Sequence, residues 1–283
     1  MALSTDPEKV LAMLKRECPK VVIDGVTYWV VESDLLYGEQ DLVDYAVRRA
    51  AAAAAAEENS AANAKKGLLA KTSGGRMLRW AKGKILTYRV DYASFQGNDQ
   101  EYAQVVAAAH QATADWQAAC CVTFQHLDAL DKGVPAGTAP PLFAFYRNWD
   151  PGNLLALAFF PDSPLDQRRV FVYNGFFKPP SNPYGQAGVL RHELGHVLGF
   201  RHEHIRAESP PTCRQGRLVE GATDAQPLTP YDHQSVMHYI CPNANMPRVE
   251  WVLTDYDKKG AQVLYGTPDG KGAAADHLVR YIP

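Results

Sequence analysis

Four of the chain's nine histidines fall within thirteen residues, at His192, His196, His202 and His204, in the stretch Leu190 to His204 that reads LRHELGHVLGFRHEH. On a helix, His192 and His196 leave the same face one turn apart and can share one ion. Glu193 lies about 100° round that helix, near the ion without having to ligate it. Gly199, three residues past His196, is the residue type that most readily takes positive φ and lets the chain leave the helix sharply, which would bring His202 under the same metal. Three neutral imidazoles and one open position are what a catalytic zinc needs to hold a water. The competing reading, a His-rich amphipathic helix with solvated imidazoles, explains neither the glycine nor the third histidine.

A helix must carry this stretch, and the rest of the chain must supply a core behind it. With 283 residues, 46% of them hydrophobic, the chain is long enough for one large or two small domains. Its net charge of −2, with both signs mixed, presents no basic field for nucleic acid. No apolar run approaches the length of a membrane span, so no membrane-crossing helix is expected, and the chain is taken as a monomer. The first twenty residues, MALSTDPEKVLAMLKRECPK, are a charged helix-like stretch and do not read as a secretory signal.

The eleven-position pattern H-E-x-x-H-x-x-G-x-x-H is that of the metzincin metalloproteases, and H-E-L-G-H-V-L-G-F-R-H-E-H resembles the astacin family. Tyr231-Asp-His-Gln-Ser-Val-Met-His-Tyr239 is similar to the family's Met-turn, and Leu253-Thr-Asp-Tyr-Asp257 followed by Leu264-Tyr265 to its C-terminal helix signature. The resemblance spans roughly Trp80 to Gly266. It implies an α+β, zincin-like protease domain over residues 76–283, with a mixed twisted sheet, an active-site helix, protein or peptide substrates and a secreted or extracellular location. It also implies zinc held by His192, His196 and His202, with Glu193 as general base and Met237 as a soft apolar floor under the ligands. By the same resemblance Tyr239 is a fifth ligand that swings away to stabilise the oxyanion, a plain buried tyrosine being the alternative. Glu203 is either the anchor of a mature N-terminus or a surface glutamate.

The segment before this domain has the layout of a zymogen, with a prosegment and cleavable linker over residues 1–75. Val21 to Leu36 reads as a hairpin round Asp24-Gly25, and Gln40 to Ala56 as a helix. Glu57 to Arg76 reads as a polar, mobile linker offering Lys65, Lys66, Lys71 and Arg76 to trypsin-like cleavage. Astacin prosegments carry a short F-x-G-D-like motif whose aspartate blocks the zinc, and Val31-Glu-Ser-Asp34 is the nearest match, which makes Asp34 a candidate latch. Cys18 is a rival latch, because a thiolate also ligates zinc. Either could instead be structural, Asp34 as a solvated turn residue and Cys18 as a disulfide half or buried thiol.

In the first half of the protease domain, Trp80 to Val90 and Arg169 to Tyr173 read as strands and Glu101 to Ala118 as a helix. Leu154 to Phe160 resembles the edge strand that metzincins place above the cleft, where substrate adds as a further strand, an ordinary core strand being the alternative. Cys121 matches a family cysteine whose usual partner lies near the C-terminus, but no cysteine follows Cys241. Cys213 and Cys241 bracket the approach to the Met-turn and are expected to pair. Two other classes remain open: a matrixin-like metzincin with a cysteine latch, and a non-catalytic zinc-bearing binding protein, whose expected mark, a damaged base, is not seen at Glu193.

Overall fold

The computed structural model describes residues 4–32, 34–58, 67–149, 154–178, 184–206, 208–210, 213, 224–239 and 251–283. Ser33, Lys65, Lys66 and Cys241 lie outside the described residues. Among the described residues no helix is long and apolar enough to cross a membrane.

The N-terminal unit forms as the sequence suggests. Helix α1 (Pro7–Glu17) starts at Asp6, whose side chain accepts from the Glu8 N–H, and buries Val10 and Leu14 one turn apart. Strands β1 (Lys20–Ile23) and β2 (Val26–Val31) pair antiparallel through Asp24 and Gly25, at φ 52° and 78°, the left-handed pair a two-residue hairpin needs. Strand β3 (Leu35–Tyr37) completes a three-stranded sheet, and α2 (Glu39–Glu58) packs across α1. Their shared core of Val10, Leu14, Trp29, Leu42 and Tyr45 also takes in Phe160 from the second half of the molecule.

The expectation of a mobile linker up to Arg76 is corrected over its last ten residues. Gly67–Ser73 is strand β4, and it turns at Gly74-Gly75 into β5 (Arg76–Trp80). Leu68, Leu69 and Ala70 are buried on β4, so their apolar side chains outweigh the Lys/Gly/Thr composition that reads as linker. The 75/76 boundary therefore falls inside a hairpin. Lys71, expected as a cleavage point, is buried, with its ammonium 2.7 Å from Asp162 and 4.4 Å from the centre of the Phe160 ring.

The main body is α+β. A mixed five-stranded sheet runs in the order β7 (Thr123–His126), β6 (Ile85–Val90), β8 (Phe143–Arg147), β10 (Arg169–Val172), β9 (Ala156–Leu157), parallel except for β9. Helix α3 (Asp99–Ala119) crosses from β6 to β7 and buries Val105, Ala108, Ala109, Ala112 and Trp116, a stripe at helical spacing. It packs against α4 (Gln186–Val197), which carries the histidines. A second sheet orders β11 (Phe200–Arg201), β4, β5 and β13 (Val279–Ile282), with β12 (Ala225–Thr229) also on β4. The helix Asp255–Tyr265 opens on a Thr254/Asp257 capping box and closes this layer.

Candidate metal centre

Every residue of α4 from Gly188 to Val197 is buried, so the helix is set in the core and its polar groups must find partners there. His192 Nδ1 lies 2.7 Å from the carbonyl of Val236, and His196 Nδ1 2.8 Å from that of Phe200. A carbonyl only accepts, so each Nδ1 carries the hydrogen and each Nε2 is left with a lone pair. Gly199, at φ 95°, turns the chain out of the helix, and a Cβ there would stand 2.9 Å from the Leu78 carbonyl oxygen. His202 follows in extended backbone after β11, and its Nε2 comes to 3.3 Å from that of His192 and 3.1 Å from that of His196.

The fourth member of this cluster comes from the N-terminal unit. Asp34 Oδ2 lies 3.0 Å from His192 Nε2, 2.9 Å from His202 Nε2 and 3.5 Å from His196 Nε2. One ligand atom from each of the four lies within 4.8 Å of the others, and all four side chains are buried. Three lone pairs and a carboxylate pointing into one small volume repel each other unless a cation sits among them, and this nitrogen and oxygen donor set suits zinc. Burial lowers His192 to about 4 and His196 below its ordinary value, which keeps both imidazoles in the neutral, ligating form at neutral pH. Burial opposes the charge of Asp34, and it is positive charge at the facing His202 and His196 nitrogens that holds its carboxyl well below the usual carboxylate range.

Tyr239 donates its hydroxyl to the same Asp34 oxygen. Trp251 stacks on the His192 ring with centroids 4.5 Å apart, and Phe160 meets the His196 ring edge-on at 5.5 Å. Beneath them Met237 is fully buried, its sulfur 2.3 Å from where a Cβ on Gly195 would stand. The turn that carries Met237 is fastened by Asp257, which accepts from Ser235 Oγ at 2.5 Å and from the main-chain N–H of Val236 at 2.8 Å. Glu193 is buried beside the cluster, and its Oε2 has no hydrogen-bond partner among the described residues. Burial, and then the charge of Asp34, push its carboxyl well above the usual range. Glu203 accepts from the Asp232 N–H at 3.0 Å through Oε1, while its Oε2 is unpartnered among the described residues, and burial pushes its carboxyl up to about 8.

The structure thus gathers His192, His196, His202, Asp34, Tyr239, Met237 and Glu193 in one place, with Glu203 just behind. It does not bring Cys18 there. That thiol is buried in the N-terminal core with Val10, Leu14 and Trp29, and burial pushes it up to about 11, away from the thiolate a metal needs. Cys18, Cys120 and Cys121 are free and Cys213 is disulfide-bonded; the expected partner, Cys241, lies outside the described residues. The sequence reading missed Glu32, Arg201 and Asp224, which form a buried charge network behind His202, although Glu32 stands inside the very tetrapeptide that pointed to Asp34. It also missed Asp257 as the fastening of the Met-turn.

Strand β9 is an edge of the main sheet, and its outer side is where the N-terminal unit docks. Leu35 bridges Ala158 in parallel, and the Ala158 N–H donates to the Asp34 carbonyl at 2.9 Å.

No family model matches the chain. Among curated proteins it is similar to an astacin-like metalloendopeptidase of Coturnix japonica, 39% identical over 64 residues that make up 18% of this chain and 15% of that protein. It is also similar to high choriolytic enzyme 2 of Oryzias latipes, 39% identical over 62 residues (19% of this chain, 22% of that one), and to the dorsal-ventral patterning protein tolloid of Drosophila melanogaster, 37% identical over 65 residues (18% and 6%). The matched segment spans less than a quarter of the length of each of these relatives. Among solved structures, myroilysin aligns at a TM-score of 0.44 with 18% identity over 66% of this chain and 82% of that one. High choriolytic enzyme 1 of Oryzias latipes, a hatching enzyme zinc-protease, aligns at 0.39 with 17% identity over 65% and 92%.

Proposed function

We propose that the chain is a secreted, zinc-dependent endopeptidase of the astacin-like type, made in a latent form in which its own N-terminal unit fills the site. The observation that carries this reading is the convergence of three imidazole Nε2 atoms on Asp34 Oδ2, with the Nδ1–H groups of His192 and His196 engaged by main-chain carbonyls. His192, His196 and His202 would hold zinc, which when bound there supplies Lewis-acid polarisation of a peptide carbonyl and makes water more acidic.

The chain's own residues do the rest. Glu193, adjacent to the ligands and with an unengaged carboxylate oxygen, takes the proton of the attacking water and returns it to the leaving amine. Tyr239 has a hydroxyl that already donates to an oxygen at this position, and in turnover it donates to the carbonyl oxygen as negative charge develops. Met237 and the Trp251 ring hold the ligand set from below and beside. Asp34 occupies the substrate's place, so turnover requires its removal.

On this reading activation cuts before Gly67, because Gly67–Ser73 and Arg76–Trp80 are a hairpin built into the protease sheet. Lys65 and Lys66 are the basic residues there. Gly67 pairs opposite Thr229, three residues before the Asp232 whose N–H Glu203 binds. A new amino terminus would therefore emerge near the free oxygen of Glu203, which supports Glu203 as its anchor. The matrixin-like alternative loses its cysteine latch with Cys18 in the N-terminal core, and the non-catalytic alternative has no damaged base to rest on.

The test is casein or gelatin cleavage by the zinc-loaded full-length chain, before and after limited trypsin treatment and with or without a chelator. Chelator-sensitive activity confined to the trypsin-treated sample is expected, and Glu193→Ala should retain zinc while turnover falls roughly 10²- to 10⁴-fold. Equal activity before treatment would remove the latent form. Silence in both samples with zinc bound would remove the enzyme.

A further inference from the structure

The N-terminal unit meets the protease through contacts of two kinds. The polar ones are Asp24 at the hairpin tip, which accepts from Arg169 Nη1 at 2.7 Å, Glu32 on Arg201, and Asp34 on the histidines. The others are apolar. Val21, Val30 and Leu36 of the unit cluster with Leu157, Phe171 and Tyr173, and all six are buried. Val170 and Val172 belong to the core behind β10, so Phe171 between them points to the opposite face of the main sheet, and the hairpin covers that face. Phe160 enters the unit's own core from the protease side.

Two features make this unit more than a strap across the site. It carries a core of its own, in which α1, α2 and the small sheet close on Val10, Leu14, Trp29, Leu42 and Tyr45, so the side chains that shape it lie well before the connection to β4. Every contact named above is likewise made by residues up to Tyr45 on one side and from Leu157 on the other, whereas the connection runs from Glu58 to Gly67. A cut at Lys65 or Lys66 therefore breaks none of these contacts. It turns a tethered association into one between two bodies, which removes the tether's effective concentration and leaves the interface as it was. Separation would expose Leu157, Phe171 and Tyr173 to water together with the hairpin residues that cover them, and that exposure opposes release.

We infer that the N-terminal unit is a docked inhibitor that stays in place after its connection is cut, so that the activating event is its release or destruction and the cut only permits it. The inference rests on the latent-peptidase reading above. It divides the work within the unit: the apolar face of the hairpin holds, and Asp34 blocks. Trypsin activates on this account because it goes on to digest the unit, whose Lys9, Arg16 and Lys20 are exposed.

The experiment treats the zinc-loaded full-length chain briefly with trypsin, stops the reaction with an inhibitor, and follows by intact mass the chains cut only after Lys65 or Lys66. At about 10 µM the two fragments should co-elute in size exclusion, with a specific activity on a short peptide about tenfold or more below that of a sample digested until the unit is gone. Dilution to about 10 nM should raise that activity on the order of tenfold, and reconcentration should reverse the rise, because a two-body complex follows mass action and a covalent tether does not. Val30→Ala should move the midpoint of the rise to a concentration about tenfold higher. If that variant does not fold, the wild-type elution and dilution curves still decide. Fragments that elute apart at about 10 µM, or activity that follows the cut fraction and ignores dilution, overturn the inference and leave the latent peptidase standing. No activity even after the unit is digested, with zinc still bound, removes both.

Discussion

His192 and His196 are fixed from below through their Nδ1–H groups on the carbonyls of Val236 and Phe200, over a Met237 turn that Asp257 fastens by its main chain. Asp34 is held over them by one main-chain bond to Ala158 and otherwise by side-chain contacts, its own with the histidines and Tyr239 and those of Glu32 with Arg201. The floor is thus main-chain hydrogen bonding and packing, which persists whatever lies above it. The roof adds charge contacts to an apolar interface in which Val21, Tyr28, Val30 and Leu36 cluster with Leu157, Phe171 and Tyr173, and its charged part weakens once water enters. This difference is what a site with a permanent ligand set and a removable cover requires.

The largest effect that tests the contrast comes from the roof. Asp34→Ala in the full-length chain should raise chelator-sensitive peptidase activity without trypsin by about tenfold or more, since each 1.4 kcal/mol taken from the closed form shifts the open population tenfold. Cys18→Ser, placed in the N-terminal core, should leave the latent chain latent. An Asp34→Ala chain that still needs trypsin would show that the roof is held by something other than its contact with the histidines.

Much of the floor and little of the roof was legible in the sequence. His192, His196, Gly199, His202 and Met237 lie within 46 residues of one another at spacings that helix geometry and the turn at Gly199 convert directly into positions. Asp34 is 158 residues from His192, and no periodicity reports such a contact; only the resemblance of V-E-S-D to a prosegment motif pointed to it. Arg201 and Glu32 are 169 residues apart, and as single charged residues each reads as surface until the fold buries them together. Strand β4 was hidden for a different reason. Its Lys71 and Thr72 sit beside Gly67 and Gly74-Gly75, a linker-like composition, and only burial of Leu68 to Ala70 against the rest of the sheet makes it a strand.

The fastening of the floor should show itself in a pH profile. Burial pushes the Asp257 carboxyl from 3.8 up to about 6, against the lowering effect of its bonds from Ser235, Val236 and Thr254. A carboxyl raised in the folded state binds its proton there while the unfolded chain has released it, so folded stability falls as pH rises from about 4 through 6. The shift corresponds to about 3 kcal/mol. The stability of the full-length chain minus that of Asp257→Asn, followed by denaturant titration, should therefore decline by roughly that amount between pH 4 and 7. A flat difference would mean that Asp257 stays charged at both ends and that the floor is held by a carboxylate rather than by a shared proton.

The smallest effect separates packing from helix propensity within the floor itself. Alanine for glycine inside a helix gains up to about 1 kcal/mol of propensity, so Gly195→Ala on α4 would stabilise if nothing lay against it. Here the added Cβ would stand 2.3 Å from the Met237 sulfur and 3.1 Å from its terminal methyl carbon. Overpacking of this kind costs roughly 1–3 kcal/mol, more than the propensity gain, so a net loss is expected by thermal or denaturant unfolding. Met237→Ala alone should also destabilise, through the cavity it leaves. The two changes together should lose less than their sum, because the second removes the atoms the first collides with. Strict additivity would show that the helix and the Met-turn move apart freely, and the floor would then be no more rigid than the roof it is contrasted with.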